Sequence, residues 1–182
     1  MTRRGLTCIA MLAGCALIAA PTLTGSAPRL VWNASASVPI GLYLALPVEP
    51  LSVGDLVAVT PPEDLATFLA GRGSLPRGVP LIKQVLALPG AEICRKDAAI
   101  IVEGRVRGAA RERDRLGRDL PRWQGCRILA EGEVFLMNPD APDSLDGRYF
   151  GPLPVSSLTA RLTPVWTDAT GTGRFEGWAS MR

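Results

Sequence analysis

Hydrophobic and polar positions divide the chain into one long apolar segment and a series of short apolar runs. Residues 6–25, LTCIAMLAGCALIAAPTLTG, hold no charged side chain, and the next charge after them is Arg29. A run of this length is about what a helix needs to span a bilayer. Arg3 and Arg4 precede the run, which predicts that the N-terminus stays in the cytoplasm and that the remainder is exported.

The residues leave three interpretations of this apolar segment open: an uncleaved signal-anchor, a cleaved signal peptide, or a lipoprotein signal. The last rests on residues 12–15, LAGC, which resemble a lipobox. However, the apolar run continues beyond Cys15, and a cut after Ala27 would place Pro28 beside the scissile bond. We therefore favour the anchor, whose helix Pro21 would kink or end.

Beyond this segment the pattern is that of short strands separated by turns rich in proline and glycine. One clear helix is predicted at 62–70, because Pro62 suits its first turn and Gly71 suits its end. Strands are predicted at 41–46, 56–59, 80–90, 98–102, 127–129, 134–137 and 158–166. The predicted fold is mainly β, with short strands and one short helix, preceded by an N-terminal transmembrane helix.

These elements predict three segments, and the length of 182 residues fits one domain plus a membrane segment. Residues 1–28 form the signal-anchor or transmembrane segment, and residues 29–166 form the folded domain. Residues 167–182 form a flexible C-terminal tail that is rich in glycine and threonine.

The four cysteines divide between the first two segments. Cys8 and Cys15 lie in the apolar segment, whereas Cys94 and Cys126 lie in the folded domain. The second pair forms one disulfide if the domain is outside the cytoplasm, and otherwise consists of two buried thiols. Their spacing matches no metal-binding motif.

Composition restricts the chemistry more than net charge does. The formal charge of +3 gives no argument for a nucleic-acid partner. Histidine is absent, which excludes a Ser-His-Asp triad, a Cys-His pair and any zinc site that uses imidazole. A general base must then be Asp, Glu, Lys, Tyr or a terminal amine. Arginine does not deprotonate in proteins, and only Lys83 and Lys96 are lysines.

Ser35 and Ser37 are candidate nucleophiles, because they follow the apolar segment in a stretch of small and turn-forming residues. A serine hydroxyl needs a neighbouring base, and a lysine can serve when burial lowers its pKa. Lys83 is the better candidate, since it is the polar member of an otherwise apolar strand row, whereas Lys96 lies in a charged turn. A lysine in such a strand also occurs at the exposed edge of a sheet, so the residues alone leave its role open. The other members of the predicted row are Leu81, Val85 and Ala87.

An arginine-rich stretch at 105–122 also includes Glu112, Asp114 and Asp119. It can be a patch for an anionic partner or a solvated hairpin or loop. We favour the hairpin or loop, because positive and negative residues alternate and the stretch holds no aromatic residue, the next one being Trp123.

Three blocks follow one another along the chain: residues 35–43 (SASVPIGLY), 83–90 (KQVLALPG) and 144–152 (SLDGRYFGP). Together they resemble the signal peptidase I-like (S26) serine proteases, in particular the TraF-like branch of conjugative-transfer systems. The pair Gly54-Asp55 before a strand also fits. The resemblance covers residues 33 to about 165 and implies a signal-peptidase-like β fold, with residues 29–166 as a serine peptidase domain.

The resemblance also implies roles for single residues. Ser37 would be the acylating nucleophile and Lys83 its general base. The backbone N–H of Ser37, helped by the Ser35 hydroxyl, would form the oxyanion hole. Ser144 would orient Lys83.

The third block implies that Asp146 and Arg148 pair and hold its shape. Two positions depart from the common signal peptidases, which have Met where this chain has Val38 and Ser where it has Gly147. These departures leave the Ser-Lys dyad intact and put the substrate preference in question.

The resemblance predicts a membrane-anchored serine endopeptidase of the bacterial inner membrane with its catalytic domain in the periplasm. It would process, and in this branch can cyclise, a pilin precursor for conjugative transfer or type IV secretion. The alternatives are a general type I signal peptidase, an inactive scaffold of the same fold in pilus assembly, and a repressor-type autoprotease. The expected partners are the pilin precursor or another exported protein and the inner membrane. No nucleic acid, cofactor or metal is expected.

Overall fold

The protein is described from a computed structural model that covers residues 3–24 and 29–177. The helices are α1 (Arg3–Thr24), α2 (Glu63–Gly71) and α3 (Gly147–Phe150), with a 3₁₀ turn at Val155–Ser157. The strands are β1 (Leu30–Asn33), β2 (Ile40–Leu46), β3 (Leu56–Val59), β4 (Leu81–Ala87), β5 (Glu92–Lys96), β6 (Ala99–Val102), β7 (Arg105–Ala109), β8 (Gly125–Ile128), β9 (Glu133–Leu136), β10 (Leu153–Pro154), β11 (Leu158–Asp168) and β12 (Glu176–Gly177).

The strands form two antiparallel sheets. The larger sheet has the order β1-β2-β11-β3-β4-β9-β10, and β12 pairs with β11. The smaller sheet has the order β7-β6-β5-β8. Strand β4, which carries Lys83, therefore lies in the interior of the larger sheet between β3 and β9.

The mainly β fold predicted from the sequence is confirmed, and the predicted strands are present with small shifts at their ends. Strand β3 and helix α2 occur where the pattern of apolar residues and prolines placed them. Strands β1, β5, β7, β10 and β12 were not predicted, and the folded domain has a second short helix, α3, beside the one predicted. Strand β5 reads EICRK, and its buried Arg95 removes the alternation that would have revealed it. Strand β7 has no buried residue.

The segment predicted to cross a membrane forms helix α1. Within residues 3–24 and 29–177, no helix combines the length and the apolar character that crossing a membrane requires. The membrane crossing thus stays a prediction from the sequence.

Strand β4 contributes to three packed clusters of apolar side chains. Leu81 and Val85 pack with residues of β3, β9 and α2, whereas Ile82 packs with Tyr43. Ala87 was predicted to share the face of Leu81, Lys83 and Val85, but it packs in a third cluster. The register between β4 and β9 shifts between Val85 and Ala87, and this irregularity ends the simple alternation.

The predicted boundary between domain and tail at residue 166 falls inside β11. Thr167 and Asp168 continue the pairing of β11 with β2. The Asp168 carboxylate accepts hydrogen bonds from the backbone N–H groups of Thr172 (3.1 Å) and Gly173 (2.7 Å). The ring of Phe175 lies 4.7 Å from that of Trp166, between centroids. The domain therefore continues at least to β12, and residues 178–182 lie outside the described part.

Cys94 and Cys126 face each other across β5 and β8 and form a disulfide. The sequence had left a disulfide and two buried thiols open. The pairing depends on β8 returning beside β5, which the spacing of the two cysteines does not reveal.

Candidate active site

The loop that carries Ser35 and Ser37 connects β1 to β2, and the nearly buried side chain of Asn33 holds its shape. The Asn33 amide donates hydrogen bonds to the carbonyls of Ser35 (2.8 Å), Val38 (3.1 Å) and Pro39 (3.1 Å). Its oxygen accepts from the backbone N–H of Ser35 at 3.0 Å. The sequence reasoning missed Asn33; the only signal was a polar residue two positions before the first serine.

The second half of the loop is fixed by Gly41 and Tyr43. The buried Tyr43 hydroxyl donates to the carbonyl of Pro39 at 2.6 Å, and burial raises the pKa of Tyr43 to about 12. Gly41 has φ 149°, and a Cβ there would lie 2.2 Å from the carbonyl oxygen of Trp166. A side chain at Gly41 would thus keep β11 from approaching β2.

The two serines are hydrogen bonded to each other, with 3.2 Å between their Oγ atoms. Ser35 Oγ donates its single proton to Asn33 Oδ1 at 2.9 Å. In the hydrogen bond between the serines, Ser37 is therefore the donor and Ser35 the acceptor. To stabilise an oxyanion, the Ser35 hydroxyl would first have to leave Asn33. The backbone N–H of Ser37 makes no hydrogen bond within the described part of the chain, so it is available as an oxyanion donor.

Lys83 is buried, with 4% of its surface exposed, and Nζ donates to Ser144 Oγ at 2.7 Å. Burial lowers the pKa of Lys83 from 10.5 to about 8, because the ammonium loses its hydration. The negative charge of Asp146 opposes this shift, and the positive charge of Arg148 adds to it. Lys83 therefore loses its proton more readily than a solvated lysine does. Because β4 lies inside the sheet, Lys83 is not a lysine at an exposed sheet edge.

Asp146 and Arg148 form a buried, bidentate ion pair. Arg148 Nε lies 2.9 Å from Asp146 Oδ1, and Arg148 Nη2 lies 2.8 Å from Asp146 Oδ2. Asp146 also caps α3 by accepting from the backbone N–H of Arg148. Arg148 donates to the carbonyls of Asn138 (2.9 Å) and Ala141 (2.6 Å). The pair thus closes the loop 138–146, and that loop positions Ser144 against Lys83.

Asn138 is a second residue that the sequence reasoning missed. Its oxygen accepts from the backbone N–H of Gln84 at 2.9 Å, and its amide donates to the carbonyl of Ile82 at 3.2 Å. Its own backbone N–H donates to Asp146 at 3.1 Å. Asn138 therefore connects the two neighbours of Lys83 to the loop that carries Ser144.

Ser37, Lys83 and Ser144 line one cavity of about 520 Å³, the catalytic cleft. Its apolar wall includes Val31, Leu69, Leu75, Val79, Leu81 and Ile82. Ser37 Oγ is hydrogen bonded to Ser35 Oγ, and the described residues show no hydrogen bond between Ser37 Oγ and Lys83 Nζ. Hydrogen bonds between catalytic groups often form only when substrate is bound.

Comparisons with known proteins identify the family. The family model described as signal peptidase, peptidase S26, matches residues 2–167. The chain belongs to the S26 signal peptidase family. The TraF branch is also confirmed: a plasmid transfer protein TraF of Escherichia coli is 34% identical over 145 residues, which cover 74% of this chain and 81% of that protein. A conjugal transfer protein TraF of Agrobacterium fabrum is 37% identical over 145 residues, with the same coverage.

Among solved structures, a signal peptidase I of Enterococcus faecalis aligns with a TM-score of 0.38 at 18% identity. The alignment covers 63% of this chain and 98% of that one. The assignment to the S26 family rests on the family model and the TraF relatives. A structural likeness of this size adds nothing to it.

The structure gives a packing reason for Gly147, the position at which the common signal peptidases have serine. A Cβ at Gly147 would lie 2.7 Å from the carbonyl oxygen of Leu136 and 2.7 Å from the ring of Phe135. Both neighbours are buried and packed, so a larger residue would displace β9. The departure at this position is thus an adaptation of packing beside the loop of Ser144.

The lowered pKa of Lys83 predicts the pH dependence of acylation. We expect kcat/KM to rise with pH and to reach half its maximum near pH 8, because only neutral Lys83 accepts the Ser37 proton. The measurement is cleavage of a fluorogenic peptide with a small residue before the scissile bond, between about pH 6 and pH 10. A profile that is flat or falls over this range would contradict the assignment of Lys83 as base.

The contacts of Asn138 predict that it positions Lys83. Asn138→Ala should lower the free energy of unfolding by about 1–3 kcal/mol, because it leaves the buried backbone groups beside Lys83 unpaired. Asn138→Asp should raise the midpoint of the pH profile, since a negative charge near Lys83 favours the ammonium. Urea unfolding and the pH profile measure the two effects. The exposed Gln124→Ala serves as control, and an unshifted profile in Asn138→Asp would refute the positioning role.

Proposed function

We propose that this S26 family member is a serine endopeptidase in which Ser37 is the nucleophile and Lys83 the general base. The observation that carries the proposal is a buried lysine with a lowered pKa, held by Ser144 in the same cleft as Ser37. Such a lysine can accept the proton of a serine hydroxyl without histidine, which this chain lacks.

The proposed reaction begins when Ser37 Oγ attacks the scissile carbonyl and its proton passes to Lys83 Nζ. The developing oxyanion accepts a hydrogen bond from the Ser37 N–H. The Lys83 ammonium then gives its proton to the departing amine as the scissile C–N bond breaks. Water or a substrate amine then attacks the carbonyl carbon of the resulting ester and loses a proton to Lys83. The bond between that carbon and Ser37 Oγ breaks, and Lys83 returns the proton to Oγ. Ser144 keeps Nζ in place throughout, because its hydroxyl accepts from the lysine.

We propose a pilin precursor as substrate, by analogy with relatives whose names assign them to plasmid or conjugal transfer. Attack of water on the acyl-enzyme would give a linear product, and attack of the substrate's own N-terminal amine a cyclic one. The apolar wall of the catalytic cleft suits small or apolar residues beside the scissile bond. A general signal peptidase would cleave many exported precursors, so a panel of precursors distinguishes the two substrate ranges.

We also propose that the catalytic domain lies in the periplasm and that residues 1–28 anchor it to the inner membrane. The Cys94–Cys126 disulfide supports an oxidising compartment. The arginines at positions 3 and 4, placed before an uncharged segment, support an N-terminus on the cytoplasmic side.

The decisive experiment is mass spectrometry of the candidate pilin from cells that carry the wild-type protein or Ser37→Ala. We expect only the precursor with Ser37→Ala, and processed pilin with the matched control Ser52→Ala, which changes an exposed serine outside the cleft. A linear product is heavier than a cyclic one by one water. Unchanged processing of the pilin in cells that contain the Ser37→Ala protein would refute the peptidase proposal and favour a scaffold.

A further inference from the structure

A second cavity, of about 490 Å³, adjoins the catalytic cleft at the nucleophile, and we call it the arginine cavity. Four arginines line it: Arg111, Arg113, Arg115 and Arg118. The two cavities share Ser37, Ser74, Asp143, Ser144 and Leu145 in their walls. A peptide whose scissile carbonyl reaches Ser37 therefore borders both cavities.

The arginine cavity is built from the stretch that the sequence favoured as a solvated hairpin or loop. After β7 the chain turns back, with a bridge between Arg113 and Asp119. The Asp114 carboxylate accepts from the backbone N–H groups of Leu116 and Arg118, both at 2.9 Å, which fixes the turn. The exposed hairpin thus forms a wall beside Ser37, a placement that its sequence does not reveal.

At two aspartates of this cavity, Asp114 and Asp143, the neighbouring arginines outnumber the carboxylate they pair with. Asp114 contacts both Arg72 (2.8 Å) and Arg118 (2.7 Å). Asp143 contacts both Arg111 and Arg115. Each carboxylate is shared by two guanidinium groups, each of which has five N–H donors.

The charged residues of the lining are four arginines and three aspartates, because the exposed Asp140 joins Asp114 and Asp143. Its formal charge is therefore positive by one. The side chains of Arg111 and Arg115 are 50% and 78% exposed, so their remaining donors are accessible to a ligand, and both residues line the cavity that Ser37 also lines. Guanidinium groups in this setting recognise carboxylates through paired hydrogen bonds.

We propose that the arginine cavity binds a carboxylate of the substrate on one side of the scissile bond, while the residues on the other side of that bond occupy the catalytic cleft. The inference rests on the proposed peptidase function and names a specificity determinant for it. The carboxylate belongs to an acidic side chain or to the C-terminus of a short segment beyond the cleavage site. A cavity that opens onto the nucleophile favours substrate over an anionic lipid headgroup, which needs no contact with Ser37.

The test compares cleavage of matched peptides with Glu or Gln at positions on either side of the scissile bond. We expect Glu to raise kcat/KM about fivefold on one side only, as two partly exposed charge pairs allow. The ratio should fall as salt is added, because salt screens exposed charges. In Arg111→Gln/Arg115→Gln it should fall to about one, whereas the control Arg107→Gln, outside both cavities, should keep the wild-type ratio.

Charge reversal makes the test stricter. Arg115→Glu should favour a peptide with Lys at the responsive position over the Glu peptide. A comparison of free and amidated C-termini distinguishes a terminal carboxylate from an acidic side chain. Binding of uncleaved Glu and Gln peptides to Ser37→Ala, measured by calorimetry, tests the site without the reaction.

The outcomes distinguish this inference from the peptidase proposal. If wild-type protein cleaves Glu and Gln peptides equally at every position and terminus, the carboxylate site is overturned and the peptidase stands. If no peptide is cleaved while Ser37→Ala binds Glu peptides more tightly through Arg111 and Arg115, the carboxylate site stands and the peptidase fails. Binding of anionic vesicles through these arginines, with equal affinity for Glu and Gln peptides, would replace the substrate carboxylate by a lipid.

Discussion

Lys83→Met is expected to lower kcat/KM by about 10²- to 10⁴-fold, because it removes the proposed general base and leaves the volume of the side chain nearly unchanged. Lys83→Arg should be equally inactive, since a guanidinium cannot accept the Ser37 proton. The measurement is cleavage of the fluorogenic peptide across the full pH range. Lys96→Met is the matched control, because Lys96 is exposed at the end of β5 and lies outside both cavities. An active Lys83→Arg protein would refute the mechanism.

Lys83→Met also has an expected effect on stability, which can be measured without any assay of activity. The folded-state pKa of Lys83 is about 8 and its ordinary value is 10.5, so between these values the unfolded chain binds more protons. The free energy of unfolding of the wild type should therefore rise with pH across this window. The free energy of unfolding of Lys83→Met should not show this rise. It should exceed that of the wild type by the largest amount below pH 8. Urea unfolding at several pH values measures both curves, and parallel curves would contradict the lowered pKa.

Arg148→Met is expected to lower the free energy of unfolding by about 3–5 kcal/mol, the usual cost of breaking a buried ion pair. The substitution leaves the Asp146 carboxylate buried without its partner. It also removes the donors for the carbonyls of Asn138 and Ala141, so the loop that carries Ser144 loses its closure. Activity should fall together with stability, because Ser144 then no longer holds Lys83.

Denaturant unfolding measures this loss, and Arg161→Met is the matched control. Arg161 lies 3.7 Å from Asp55 in a partly exposed pair, which predicts a change below about 1 kcal/mol. The double variant Asp146→Leu/Arg148→Met should recover part of the stability, since no unpaired charge remains. A loss in Arg148→Met no larger than that in Arg161→Met would mean that burial of the pair contributes nothing.

Much of the fold followed from local patterns. The apolar runs at 56–59 and 134–137 and the proline before 62–70 predicted elements that the structure contains, because such signals act over a few neighbouring residues. The strand at 92–96 escaped notice because Arg95 is buried there, with its guanidinium donating to the carbonyl of Arg148 at 2.7 Å. That contact joins residues far apart in the chain, and no local pattern can reveal it.

The candidate site shows the same division. Elimination of histidine and the scarcity of lysine pointed to Lys83, and the order of three blocks pointed to Ser37 and Ser144. Asn33 and Asn138 went unnoticed, because an asparagine gains its role only from the backbone groups it meets in the folded chain. Ser35 was assigned to the oxyanion hole, yet its proton is held by Asn33 in this structure.

The order and types of the amino acids were enough to show which residue types are available for catalysis, where most short strands lie, and to which family the chain's motifs point. These depend on composition and on neighbours along the chain. The tertiary structure was needed to show that Lys83 is buried in the interior of a sheet, that Asp146 and Arg148 are paired away from water, and that an arginine hairpin borders Ser37. Burial, pKa and the meeting of distant loops depend on how strands pack in space, and that packing is a property of the whole fold.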